Sequence, residues 1–177
     1  MITYKLAETD KDLKQILNLQ KNNLAENISN LEKSKEGFVT VKHTLALLKS
    51  MNKSFPHIIA KDNNKVIGYA LSMTINFSNQ IKVLKPMFEE ISKIITHDNY
   101  IIMGQICIEK NYRGTGVFKN LYQTMKKYLK KTNVKVIITE IDIENKRSFK
   151  AHKKVGFKKL KKYTSDEINW AIVALNI

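Results

Sequence analysis

A chain of 177 residues, 43% apolar and 27% charged, can bury a sizeable core and reads as one globular domain over 1–177. Two prolines and six glycines leave no long linker, and no repeat or low-complexity stretch is visible. The N-terminus turns polar by residue 8, no apolar run approaches the ~20 residues of a membrane span, and the lone Cys107 excludes an internal disulfide. The expected setting is therefore the cytoplasm, with no membrane partner.

The net charge is +15, from 31 basic and 16 acidic residues, which makes nucleic acid the first partner to weigh. The lysines are scattered along the chain, without an arginine-rich helix or an aromatic RNA-binding signature. Nucleic acid is accordingly the less favoured partner, beside plain solvated lysine or a small polyanionic ligand.

Residues 2–7 alternate as an opening strand. Thr9 with Asp12 resembles a capping box, and Leu13, Ile16, Leu17 and Leu24 then share a helical face. A second helix is expected over 42–52, through Leu45, Leu48 and Met51. Residues 57–61 and 65–75 read as strands joined by a turn at Asp62-Asn63-Asn64. Leu84, Met87, Phe88, Ile91, Ile94 and Ile95 form a helical stripe with Pro86 in its first turn. A strand from Tyr100 to Glu109 leads through a glycine loop into a helix carrying Phe118, Leu121, Tyr122, Met125, Tyr128 and Leu129. Val134 to Ile143 is a strand, 146–155 a short helix, and 157–163 and 169–175 close the chain around a turn at Thr164–Glu167. The order β-α-α-β-β-α-β-α-β-α-β-β predicts an α/β domain around one mixed, mostly antiparallel sheet.

The segment from Ile106 to Leu129 carries the strongest functional signal. A buried strand ends, Arg113-Gly114-Thr115-Gly116 follows, and an amphipathic helix begins at once. Glycines let backbone turn tightly and approach a ligand, and a helix N-terminus offers free N–H groups to a phosphate. Lys110, Arg113 and Lys119 add positive charge. The same pattern also describes an ordinary tight turn between strand and helix.

Over essentially its whole length the chain resembles the GCN5-related N-acetyltransferases (GNAT). The element order, the hairpin DNNKVIGYAL, the loop RGTGVF at Arg113–Phe118 and the segment from Asn145 to Gly156-Phe157 carry the resemblance. The loop is similar to the family's coenzyme A signature, and the last segment to its second motif. The resemblance implies acetyl-CoA as co-substrate, with no metal, and direct transfer to a primary amine in a ternary complex. The acceptor would be a small molecule or peptide, and a homodimer stays open. Two departures stand out: Phe118 fills a signature position usually held by Gly or Ala, and His152 stands where the family commonly has a tyrosine.

The resemblance also assigns roles. Backbone of Ile106, Cys107 and Ile108 would pair with the pantetheine arm and polarise the thioester carbonyl. The N–H groups of Gly114, Thr115, Gly116, Val117, Phe118 and Lys119, with Arg113, would hold the pyrophosphate. Asn145 and Ser148 would lie near both, although capping explains Asn145 equally well. His152 is the candidate general acid for the leaving thiolate, against a packed histidine. Glu140, Asp142 and Glu109 are candidate bases, and Ile102 occupies the place of a glutamate that sometimes serves. The acceptor is expected to be shaped by the first two helices and by loops near residues 25–40 and 76–85. Cys107 is expected to be inert, and His43, His57 and His97 have no ligand spacing. Two rival functions remain: a coenzyme A-binding module without turnover, and a basic nucleic-acid-binding protein.

Overall fold

The computed structural model describes residues 1–31, 36–96 and 98–177. His97 and part of the 25–40 loop therefore lie outside the described residues. Seven strands form one sheet: β1 (Ile2–Leu6), β2 (Ile58–Asp62), β3 (Lys65–Met73), β4 (Tyr100–Ile108), β5 (Val136–Asp142), β6 (Lys158–Ser165) and β7 (Ile168–Asn176), in spatial order β1-β2-β3-β4-β5-β7-β6. Only β4 and β5 pair in parallel; all other neighbours are antiparallel. The expected α/β architecture is the one observed.

On one face pack α1 (Asp10–Asn22), α2 (Leu45–Ser54) and α3 (Lys85–Ser92); on the other pack α4 (Val117–Leu129) and α5 (Lys146–Val155). The Thr9 hydroxyl accepts from Asp12 N (3.1 Å) while the Asp12 carboxylate accepts from Thr9 N (3.2 Å), so α1 starts with two otherwise orphaned donors satisfied. Leu24 belongs to the core but lies past the end of α1, whose buried apolar residues are Leu13, Ile16 and Leu19. In α4, Val117, Leu121, Tyr122, Met125 and Leu129 are all buried, the stripe that a period of 3.6 requires. Gly68 leaves room for α4: a Cβ there would stand 3.1 Å from Val117 Cγ1. The closing turn is tighter than expected. It consists of Asp166 and Glu167 alone, both at positive φ, so β6 and β7 are each longer than the sequence reading gave.

Two features of β4 position the site. Leu71 pairs with Gln105 and Ser72 with Met103, so Gly104 is an extra residue in β4. Such a bulge sharpens the local twist and bends the strand. Pairing between β4 and β5 ends at Ile102↔Ile138, while β4 stays with β3 through Ile108 and β5 stays with β7 through Asp142. The two parallel strands therefore part after the first three residues of each.

The core also buries three histidines. His43 is pushed down to about 4, His57 to about 3 and His152 to about 4, in each case chiefly because burial penalises the charged ring. All three are neutral in the fold yet would take up protons near 6.5 when unfolded. Stability should therefore fall as pH drops from 6.5 toward 4.5. Half-buried Glu140, raised to about 7, opposes this, because the folded state keeps its proton in that window. The net excess of two protons in the unfolded chain corresponds to a slope of roughly 3 kcal/mol per pH unit. Melting temperature measured across pH 4.5–7 should show this fall, and a flat profile would contradict the histidine burial.

Candidate active site

Where β4 and β5 part, a cleft of about 570 Å³ opens on the α4–α5 side of the sheet. Its floor is Ile106, Cys107 and Ile108 at the free end of β4. One wall is the loop Arg113–Gly116 with Phe118 and Lys119 from α4, and another is the exposed side of α5, including Asn145, Ser148 and Lys150. Gly37, Phe38 and Val39, between α1 and α2, close over it.

Gly114 has φ +81° and Gly116 φ +91°, both left-handed, and a Cβ at either would meet nothing within 4 Å. The backbone thus presents itself bare to the cleft. Gly116 is the N-cap of α4 and no side chain caps that end, so its first N–H groups are available to an outside acceptor. The chemistry fits an extended phosphorylated ligand: donors at a helix end, an apolar floor, and five basic side chains, Arg113, Lys119, Arg147, Lys150 and Lys154, around the rim. Thr115 and Val117 do not line the cleft. The Thr115 hydroxyl donates back to Tyr112 O (2.8 Å) and Val117 is core.

Arg113 is committed elsewhere than a freely projecting phosphate ligand would be. Its guanidinium donates to Glu36 Oε2 (2.6 Å), Asn23 Oδ1 (2.6 Å) and Ile108 O (3.1 Å). Arg147 reaches the same Glu36 oxygen at 2.5 Å. Hydrogen bonding from Arg113 in particular holds Glu36 below the usual carboxylate range. Asn145 caps α5 by accepting from Ser148 N (3.0 Å), and both residues also face the cleft.

Phe118 turns its ring edge-on into an aromatic cluster, 4.9 Å from His152 and 5.2 Å from Tyr122. It packs away from the loop, as its departure from the signature requires. The structure places His152, the acid expected from the sequence, inside the core. It is 2% exposed and does not line the cleft. With Nδ1–H directed at Ser148 O (2.9 Å), Nε2 is left to accept the Tyr122 hydroxyl (2.9 Å). A neutral imidazole with both nitrogens engaged ties α5 to α4.

The three carboxylates separate clearly. Asp142 accepts from Glu144 N (2.9 Å) in the turn after β5. Glu109, just past the free end of β4, is paired with Lys65 (2.5 Å) and does not line the cleft. Glu140 stands two residues past the last β4–β5 pair, on the α1–α3 face, at the edge of the parting. Burial raises it to about 7, and the Tyr163 hydroxyl, which donates to Oε2, only partly offsets that. Cys107 lines the floor, but burial pushes its thiol up to about 12, so it is no nucleophile at neutral pH. Among the described residues no group of three metal-ligating side chains comes together, and no helix is long and apolar enough to cross a membrane.

Sequence reasoning missed Glu36, Tyr163 and the cleft-facing row Arg147, Lys150 and Lys154. The last was available from the helical spacing after Asn145. The first two depend on contacts 77 and 23 residues apart in sequence.

A mixed sheet parted between two parallel strands, with a glycine loop and an open helix end at the parting, defines an acyltransferase of the GNAT type. The family model described as Acetyltransferase (GNAT) family matches residues 25–157, and the chain belongs to that family. Among solved structures it is similar to Ard1 from Thermoplasma volcanium, at 14% identity over 99% of this chain and 97% of that one, with a TM-score of 0.69. The ribosomal-protein-S18-alanine N-acetyltransferase from Escherichia coli gives 15% identity over 100% of this chain and 94% of that one, with a TM-score of 0.67. A putative acetyltransferase from Salmonella typhimurium, solved with its cofactor acetyl-CoA, gives 13% over 99% and 93%, with a TM-score of 0.66. No functionally curated protein matches the chain significantly.

Proposed function

We propose that this protein transfers the acetyl group of acetyl-CoA to a primary amine, a small molecule or a peptide terminus, by direct attack in a ternary complex. The observation that carries the reading is the parting of β4 and β5 beside the bare Gly114–Gly116 backbone, with Glu140 at its edge. In this reading the pyrophosphate lies against the N-terminus of α4, and the pantetheine arm follows Ile106–Ile108 into the gap. A backbone N–H of that segment polarises the thioester carbonyl. The amine approaches from the α1–α3 face, where Glu140, half ionised near neutral pH, accepts its proton. The amine lone pair forms the new C–N bond, the C–S bond breaks, and the electron pair leaves on sulfur. A thiol with a pKa near ~8.5 departs as thiolate without a side-chain acid in contact, which removes the need for His152 in that role.

Acetyl-CoA at about a hundred times its Kd should add roughly 2.7 kcal/mol to stability, or about 5–10 °C in Tm for a chain of this size. A panel of amino acids, polyamines, aminoglycosides and peptides should then reveal acceptors by thiol release. A thermal shift without release against any amine would leave only a coenzyme A-binding module. Absence of both would sink the reading.

A further inference from the structure

The net charge of this chain is local. Residues 110–162 hold seventeen Lys and Arg against three Asp and Glu, which accounts for +14 of the total +15. The basic residues are not evenly scattered, contrary to the sequence reading: these 53 residues hold seventeen of the 31 Lys and Arg and three of the 16 Asp and Glu. Outside this stretch several lysines have partners, with Lys5–Glu8, Lys49–Asp10, Lys61–Asp12, Lys65–Glu109 and Lys93–Glu90 all within 3 Å; inside it, Lys161 pairs with Glu90, and Arg113 and Arg147 share Glu36. Helices α4 and α5 contain no acidic residue.

Each of these helices buries one face and leaves lysines on the other. At 100° per residue, Lys119, Lys126 and Lys130 fall within about 40° on α4, and Lys146, Lys150 and Lys153 within about 60° on α5. Lys159 and Lys162 of β6 pair with Val173 and Ala171, which belong to the core beneath α4 and α5, so both lie on this same side of the sheet. The pairs Lys126–Lys130 and Lys146–Lys150 are like charges four residues apart, an arrangement that destabilises a helix. Fold stability does not account for it. The cleft accounts for Lys119 and Lys150, which line it, but not for Lys127, Lys130, Lys146, Lys153 and Lys159, which do not line it and are all exposed.

We infer that the outer surface of α4 and α5, continued along β6, binds the phosphate backbone of nucleic acid. Outside the cleft the lysines run for about 6 Å on α4, from Lys126 to Lys130, and about 10 Å on α5, from Lys146 to Lys153, at 1.5 Å per residue, so that the two helices and β6 together can meet several phosphates. Lysine supplies point charges without base-reading geometry, so binding is independent of sequence and salt-dependent. A membrane is the poorer fit, because the apolar faces of both helices are buried in the core. None of the exposed large apolar residues lies on α4 or α5, and β6 adds the single Leu160, too little apolar surface to anchor in a bilayer.

The test is fluorescence anisotropy of the full chain with a labelled 20-nucleotide single-stranded RNA of mixed sequence, between 50 and 250 mM NaCl. The fourfold variant K127E/K130E/K153E/K159E should bind at least about a hundredfold more weakly at 50 mM salt. Its plot of log affinity against log salt should be shallower by roughly 3, at ~0.7 per lost phosphate contact. The control K11E/K14E/K42E/K82E changes net charge equally on the other part of the molecule and should stay within a few fold of wild type. Both variants should keep the acetyl-CoA thermal shift, which shows them folded, and a Gln version of the first set guards against misfolding. Saturating acetyl-CoA should leave RNA affinity unchanged. Equal loss in both variants, displacement of RNA by acetyl-CoA, or retention on vesicles containing 30% phosphatidylserine without RNA binding would each overturn the inference.

Discussion

Glu140→Gln should lower kcat by about a hundred- to a thousandfold, within the range of general base catalysis, while acetyl-CoA affinity stays near wild type. The reason is positional. Glu140 lies on the α1–α3 face and not in the cleft, so its loss leaves the cofactor walls intact. Below pH 7 the wild-type log kcat/KM should climb with a slope near 2, one proton from the acceptor amine and one from Glu140; the variant should keep only the amine's slope of 1. Stability should move the other way. Folding raises Glu140 from 4.5 to about 7, so its favourable contribution is complete below 4.5 and is lost as pH rises through 7. The Gln variant escapes that loss and should melt a few degrees higher at pH 8 but not at pH 4. Wild-type turnover, or an unchanged slope, would remove Glu140 from the mechanism.

Gly116→Val should abolish the acetyl-CoA thermal shift, corresponding to a loss of affinity of at least about a hundredfold. Two effects act together. Gly116 sits at φ +91° and ψ −5°, where a β-branched residue is strained by about 1–3 kcal/mol. Its Cβ would also project into space that no protein atom fills, which is where a phosphate must approach the helix end. Gly116→Ala separates the two, since alanine carries the conformational strain with a smaller obstruction and should retain part of the shift. A full shift in the valine variant would show that this loop does not hold the ligand.

Much of the fold was legible because its signals are local. The Thr9–Asp12 box, Pro86 at the start of α3 and the apolar stripe of α4 each fix an element from neighbours a few residues away. The glycine loop was legible for the same reason, since positive φ is a demand on single residues. The roles of individual side chains were not. His152 matches a motif position, but whether it faces the cleft or the core depends on Phe118, Tyr122 and Phe157, which surround it from other elements. Glu140 could be distinguished from Asp142 and Glu109 only once β4–β5 pairing was seen to stop at Ile138 and Tyr163 was seen to reach its carboxylate. The charge asymmetry was present in the sequence, since 110–162 gathers seventeen of the 31 basic residues beside three acids, but which face carries it depends on how α4, α5 and β6 pack.

The junction of Glu36 with Arg113 and Arg147 bears on any attempt to re-engineer acceptor choice. Designers commonly treat the segment between the first two helices as exchangeable, because it is the part of a surface most tolerant of new sequence. Here its carboxylate neutralises a guanidinium only 14% exposed, whose other bonds tie α1 to the end of β4. A transplanted segment lacking an acid at that position would strand a buried cation, a defect that typically costs several kcal/mol. Loop libraries for this scaffold should therefore hold position 36 as Glu and diversify around it.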